Sequence, residues 1–208
     1  MTGEPTMAGR KQFDPERALQ AAVRVFWENG YLGTSIHDLE SAMGVGRASI
    51  YSTYGDKEDL FLRALTSYVE QYGPPVREAF RIHADDSTLA LRATFDAALA
   101  RMSDTDLPAG CLIAQSASEL LILGARPQEA VSQLLHGQLA IITAALETDR
   151  RSGRLAESAD PNSLAAFLAG TIHSLSLLHR NGVGLDVLHR VAAHALSTLP
   201  TTTVASGT

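Results

Sequence analysis

Residues 26–61 read FWENGYLGTSIHDLESAMGVGRASIYSTYGDKEDLF, and the punctuation of this stretch decides the fold. Ser35 stands where a helix N-cap is needed, with Asp38 three residues on as a short-armed capping-box partner. Ile36, Leu39 and Met43 then share one helical face, and Gly44 stops the segment. Val45 and Gly46 make a very short connection to a second segment over 47–54, which Gly55 ends. A turn this tight needs a residue that tolerates positive φ, and Gly44 supplies it. Helices of about eight residues do not persist alone in water, so Ile36, Leu39, Val45 and Ile50 must pack on neighbours. A short capped helix, a glycine turn and another short helix form the helix-turn-helix pattern.

The flanks extend this unit. Asp14, Pro15 and Glu16 open a helix as N-cap, first helical residue and first-turn acid. Leu19, Ala22, Val23 and Phe26 follow on one face, and Gly30 ends it as a left-handed cap. Asp56 and Asp59 start a fourth helix through Leu60, Leu65 and Val69. Gly73-Pro74-Pro75 is the clearest boundary in the chain, because proline restricts itself and its predecessor. The expected organisation is a flexible arm (1–10), a helix-turn-helix domain (11–72), a helical second domain (73–199) and a frayed tail (200–208). Helices are predicted near 75–83, 87–102, 111–124, 127–152, 161–181 and 185–198. The fold class is all-α.

With Val45 and Ile50 seated beneath the second short helix, Arg47, Ala48, Ser49, Tyr51, Ser52 and Tyr54 are left on its outer side. Arg and Ser donate to base edges or phosphates, Tyr bonds phosphate through its hydroxyl, and Ala48 lets the backbone approach a groove. The same stretch resembles the tetracycline-repressor (TetR) family. The matching positions are Phe26…Gly30-Tyr31, Thr34-Ser35-Ile36, Gly44-Val45, Ile50-Tyr51, Tyr54 and Lys57-Glu58…Leu60. Glu40, Met43 and Gly46 depart from the family's usual alanine, alanine and serine. The resemblance implies a homodimeric regulator, usually a repressor, on a palindromic operator in double-stranded DNA. It places Arg47, Ser49, Tyr51 and Ser52 at the major groove and Thr34, Ser35, Tyr54 and Lys57 on phosphate. The competing reading is an ordinary helical subdomain in which Tyr51 and Tyr54 are core aromatics.

Charge does not settle the matter. The 208-residue chain carries 17 Lys+Arg against 23 Asp+Glu, a net charge of −6. The balance argues against bulk coating of nucleic acid, and DNA binding must come from a few placed cations and hydrogen-bond donors. Arg10 and Lys11 are candidates to reach DNA from the arm. Apolar residues make up 45% of the chain, an ordinary globular proportion, and no apolar run approaches the roughly 18–20 residues of a membrane span. With no apolar leader at its start, the chain is expected in the cytoplasm. The sequence lacks HExxH, GxSxG, Walker and Rossmann fingerprints, so an enzyme is not expected. One cysteine and seven scattered histidines offer no recognisable zinc set, and no metal or cofactor is expected.

The second domain has two candidate tasks. The segment 161–181 is apolar around much of its circumference, with Ala166, Ala169 and Gly170 permitting close helix approach. The family resemblance implies a homodimer through the helices near 127–152 and 161–181; a buried intramolecular helix is the alternative. Segments 87–102, 111–124 and 127–152 would then surround a cavity for an unidentified small-molecule effector. Phe95, Leu99, Met102, Cys111, Leu112, Gln115, Glu119, Leu134, Gln138 and His173 are candidates to line it. Pro108-Ala109-Gly110 puts Cys111 at a helix N-terminus, where the macrodipole favours a thiolate. Gly110-Cys111-Leu112 also resembles one TetR subgroup, some of whose members sense electrophiles or oxidants. A buried cysteine acting as a small hydrophobe is the alternative. A DNA-binding dimer with no small-molecule response is a further reading of the whole chain.

Overall fold

The Asp14 carboxylate accepts from the backbone N–H groups of Glu16 and Arg17, and Pro15 fills the first helical position. Helix α1 accordingly runs Pro15–Asn29. Ser35 and Asp38 form a reciprocal capping box that opens α2, Ile36–Met43. Gly44 ends it in the left-handed region, at φ 68° and ψ 25°, as the tight turn requires. Helix α3 spans Arg47–Tyr54, and a second box, Asp56 with Asp59, opens α4, Lys57–Tyr72. This is a computed structural model, and it describes residues 13–202. The arm with Arg10 and Lys11, and the last part of the tail, lie outside the described residues.

Gly46 offers α3 no side-chain cap, and Glu40 takes over that task. Its Oε1 accepts from the Arg47 N–H at 2.5 Å, satisfying a donor the helix itself cannot satisfy. Two of the departures from the family pattern thus offset each other. Glu40→Ala is expected to lower stability by about 1 kcal/mol. Adding Gly46→Ser should recover most of that loss, because Gly46 is extended (φ −73°) and has open space for a Cβ. Urea melts of the single and double variants check this.

Beyond Gly73 the helices are α5 (Pro74–Ile82), α6 (Ser87–Ser103), α7 (Leu112–Ser118), α8 (Ala125–Arg151), α9 (Pro161–Arg180) and α10 (Leu185–Ser197). Two apolar cores result. The first joins Phe26, Trp27, Leu39, Ile50, Leu60 and Phe61 of the head to Leu112 and Val131 of the second domain. Phe26 meets Phe61 edge-on at 5.2 Å, and Trp27 meets Tyr68 the same way at 4.8 Å. The second core packs α6 against α8, α9 and α10 through Leu91, Phe95, Leu146, Leu168, Leu175 and Leu188. Asp149, a buried carboxylate, accepts from the Ser87 N–H and hydroxyl and from Arg154 Nε, tying the end of α8 to the start of α6.

Four expectations need correction. The segment 111–124 is not one helix: α7 stops at Ser118, and a 3-10 turn over Leu120–Ile122 follows. Glu119 leaves the helical path because its carboxylate bonds the head domain. Helix α8 begins two residues before Pro127, which is tolerated in a first turn whose N–H groups have no partners. Residues 200–202 are not frayed: Leu155 and Thr201 form a β-bridge, flanked by Ala156 N–H to Pro200 O and Thr202 N–H to Arg154 O, both 2.9 Å. Gly30, too, has positive φ (74°) but an extended ψ (175°), so it is not a left-handed helical cap. A Cβ there would strike the Glu119 carboxylate.

Candidate nucleic-acid interface and cavity

Val45 and Ile50 are buried beneath α3, with Ile50 at 0% exposure. That seating turns Arg47, Ala48, Tyr51 and Ser52 to solvent, with Ser49 half-buried between them. The Arg47 guanidinium lies 6.0 Å from the Tyr51 ring centroid, within the range of cation–π attraction. Ser52 donates to the Ser49 carbonyl at 3.1 Å. Ser35 is exposed at the start of α2, its hydroxyl donating to Asp38 and accepting from the Asp38 N–H. The Ser35 hydroxyl and the Ser35 backbone N–H both donate to the Asp38 carboxylate and hold it below its ordinary range. One guanidinium, several hydroxyls and a small residue on a protruding helix form a surface able to read a groove.

Two of the side chains assigned to phosphate, Thr34 and Tyr54, are buried and engaged elsewhere, and a third, Lys57, is half-buried beside an aromatic ring. Thr34 is buried, and its hydroxyl donates to the Gly30 carbonyl at 2.6 Å, closing the turn after α1. Tyr54 is buried in the head core, its hydroxyl donating to the Pro15 carbonyl at 2.6 Å. Lys57 is half-buried with Nζ 4.3 Å from the Tyr31 ring centroid. Burial depresses its pKa, opposed by the nearby Glu119 carboxylate. The core-aromatic reading therefore holds for Tyr54 and not for Tyr51, which is 43% exposed. Tyr54→Phe is expected to reduce stability by about 1 kcal/mol through loss of the bond to Pro15. Operator affinity should stay unchanged, as thermal melts beside binding titrations would show.

On the far side of α4, a cavity of about 360 Å³ opens between α4, α5, α6, α8 and α9. That volume lies in the range of small-molecule sites. Of the ten candidate residues, Cys111, Leu134, Gln138 and His173 stand at its wall. His173 Nε2 is 2.9 Å from Gln138 Oε1, and burial pushes the imidazole pKa down, so the ring is neutral at pH 7. Cys111 is the half-buried N-cap of α7, and the Tyr68 hydroxyl donates to its Sγ at 3.3 Å. Burial, and then the neighbouring thiol, raise Tyr68 well above the ordinary phenol range, so it remains a donor.

The other six candidates are elsewhere. Phe95, Leu99 and Met102 fill the second core, and Leu112 fills the first. The cavity face of α6 is Thr94, Ala97, Ala98 and Arg101, one residue and hence about 100° round from the predicted face. Gln115 lies beside Gly30, and Glu119 accepts from the Tyr31 and Leu32 N–H groups at 2.9 and 3.3 Å. Sequence reasoning missed Tyr68, Tyr72, Phe80 and Arg101 on the wall. The Tyr68/Tyr72 pair, four apart just before the Gly-Pro-Pro break, was the available signal. It also missed Arg180, whose guanidinium donates to the Trp27 and Glu28 carbonyls at the end of α1. Among the described residues, no cluster of His, Cys, Asp or Glu is arranged to hold a metal ion, and no helix is long and apolar enough to cross a membrane.

A head that presents a helix-turn-helix, joined by one long helix to an all-α body, defines a two-domain DNA-binding protein of the regulator class. Residues 18–64 match the profile of bacterial regulatory proteins of the tetR family, and residues 88–194 match the tetracyclin repressor-like C-terminal domain. The chain belongs to the TetR family. It is 41% identical over 114 residues to the HTH-type transcriptional regulator YezE of Bacillus subtilis, a match covering 54% of this chain and 58% of YezE, less than two thirds of that relative. It is 28% identical over 196 residues to the HTH-type transcriptional repressor ComR of Escherichia coli, covering 91% and 90% of the two chains. Among solved structures, a cysteine-substituted CifR bound to 26-bp operator DNA superposes with a TM-score of 0.82 at 28% identity, covering 95% of this chain and all of that one. These relatives are transcriptional regulators, not enzymes.

Proposed function

We propose that the chain is a cytoplasmic homodimeric repressor that grips an inverted-repeat operator with paired α3 helices and lets go when a small molecule fills the cavity. The observation that carries this reading is α4. One 16-residue helix buries Leu60 and Phe61 in the head and places Tyr68 and Tyr72 on the cavity wall. Roughly 24 Å of rigid rod therefore links reader to cavity. Two further ties support coupling: Glu119 on the Tyr31–Leu32 backbone, and Arg180 on the end of α1. A ligand that displaces either domain's hold on α1 and α4 changes the spacing between the two reading helices.

Dimerisation finds support on α9. Phe167 and Leu177, 47% and 63% exposed, lie on a common outward face with Gly170 and Ser174 between them. Such a face of large apolar and small residues suits a helix packed on its own copy. The likeness to an operator-bound CifR and to a repressor named as such favours repression. Cys111 is the second route to release, its thiol opening on the same cavity as the α4 tyrosines. The test is direct: operator binding by fluorescence anisotropy, titrated with metabolite extracts and with diamide, for the wild type and Cys111→Ser. Loss of DNA binding with extract supports the effector; loss with diamide only in the wild type supports the thiol. Insensitivity to both leaves the DNA-binding dimer without a small-molecule response as the correct account.

A further inference from the structure

We propose that the cavity takes a small apolar molecule carrying a single carboxylate, which Arg101 holds. The proposal rests on the reading of the cavity as an effector site and names the chemistry of what enters. In a chain of net charge −6, the charged side chains of the wall among the described residues are two arginines, Arg77 and Arg101, with no Asp or Glu. Arg77 is exposed, whereas Arg101 is half-buried.

The polar groups of the wall are mostly engaged. The Thr94 hydroxyl donates to the Ala90 carbonyl, the Tyr68 hydroxyl to Cys111 Sγ, and His173 is bonded to Gln138. Arg101 differs. Among the described residues it forms no ion pair, and its fully buried Nε has no hydrogen-bond partner. An unsatisfied buried donor on a charged group is expensive, and a guanidinium cannot escape by losing its proton. Its planar fork is matched by the two oxygens of a carboxylate. Phe80, Ile142, Ile172 and Leu134 supply an apolar lining for the rest of the molecule, which excludes a small, fully hydrated anion such as phosphate. A cationic ligand would meet two guanidinium groups and no counter-charge.

The experiment uses three probes with one body: 3-phenylpropanoate, its primary amide and 3-phenylpropylamine, titrated calorimetrically into the DNA-free protein. The acid is expected to bind at least about tenfold tighter than the amide, with the amine weakest. Arg101→Gln should remove that preference while leaving amide binding unchanged, and Arg101→Lys, keeping charge without the fork, should fall between. Thermal melts establish that each variant is folded. Equal binding of acid, amide and amine overturns the proposal. So does undiminished acid binding by a folded Arg101→Gln, or no acid binding at all. Operator affinity is read in parallel. Arg101-dependent acid binding that leaves DNA affinity untouched supports the ligand class and overturns only the effector reading. DNA release by the amine and not the acid does the reverse.

Discussion

Gly170→Glu is expected to leave a folded monomer that no longer binds operator DNA. Gly170 sits mid-way along α9 on its outward face, and a Cβ built there meets nothing within 4 Å. Within one subunit the substitution costs nothing sterically, and replacing a mid-helix glycine should stabilise α9 by several tenths of a kcal/mol. Between two subunits the same carboxylate would be buried beside Phe167 and its symmetry mate without a partner, a penalty of several kcal/mol. Linking two half-site readers raises affinity by about 10²–10⁴-fold, so a monomer should lose at least about 100-fold on a two-half-site operator. Sedimentation velocity and anisotropy on the same preparation check both halves. A Gly170→Glu protein that remains dimeric and binds normally would place the interface elsewhere.

The second large effect is expected at Ile50→Ala. Ile50 is fully buried, and with Tyr54 it anchors an eight-residue helix too short to survive unaided. Truncating it should cost about 2–5 kcal/mol, the range for large-to-small changes in a packed core. The loss falls on the head core, while the second core around Leu91, Leu146 and Leu175 shares none of its contacts. Hydrogen exchange should therefore accelerate across residues 35–55 and stay slow in α9. DNA binding should disappear with the protection of α3. Uniform acceleration across both domains would mean that the cores do not melt separately.

The contrast between these two positions shows what was legible in the sequence. Around Ile50, each local signal has its own physical cause, and all agree: the Ser35–Asp38 box, the positive-φ Gly44 and the helix start at Asp56 and Asp59 each stand as read. Caps and turns are local chemistry, so spacing alone reveals them. Cavity membership is not local. Large apolar residues such as Phe95, Leu99 and Met102 look like a pocket lining, yet they fill the core because burying them is most favourable. Space is left instead where residues are small, at Ala97, Ala98 and Gly137. Helical phase decides between those faces, and an error of one residue turns the face by about 100°. Hydroxyl roles are similarly hidden. Thr34 and Tyr54 could serve phosphate or a backbone carbonyl, and only the positions of Gly30 and Pro15 in space decide for the carbonyl. The same holds for Lys57, drawn onto Tyr31, and for Glu119, drawn onto the backbone beside it.

In the proposed repressor, the outer face of α3 reads DNA as one of a symmetric pair, and everything proposed for the second domain acts through that pairing. Selection of bound sequences from random duplexes, run with the wild type and Arg47→Ala, tests this. The wild type should enrich an inverted repeat whose half-sites lie about one turn apart, roughly 34–36 Å. Arg47→Ala should lose about 1–3 kcal/mol of preference at one base pair in each half-site and keep the rest. A wild type that enriches no sequence, or an Arg47→Ala protein with an unaltered site, would contradict it.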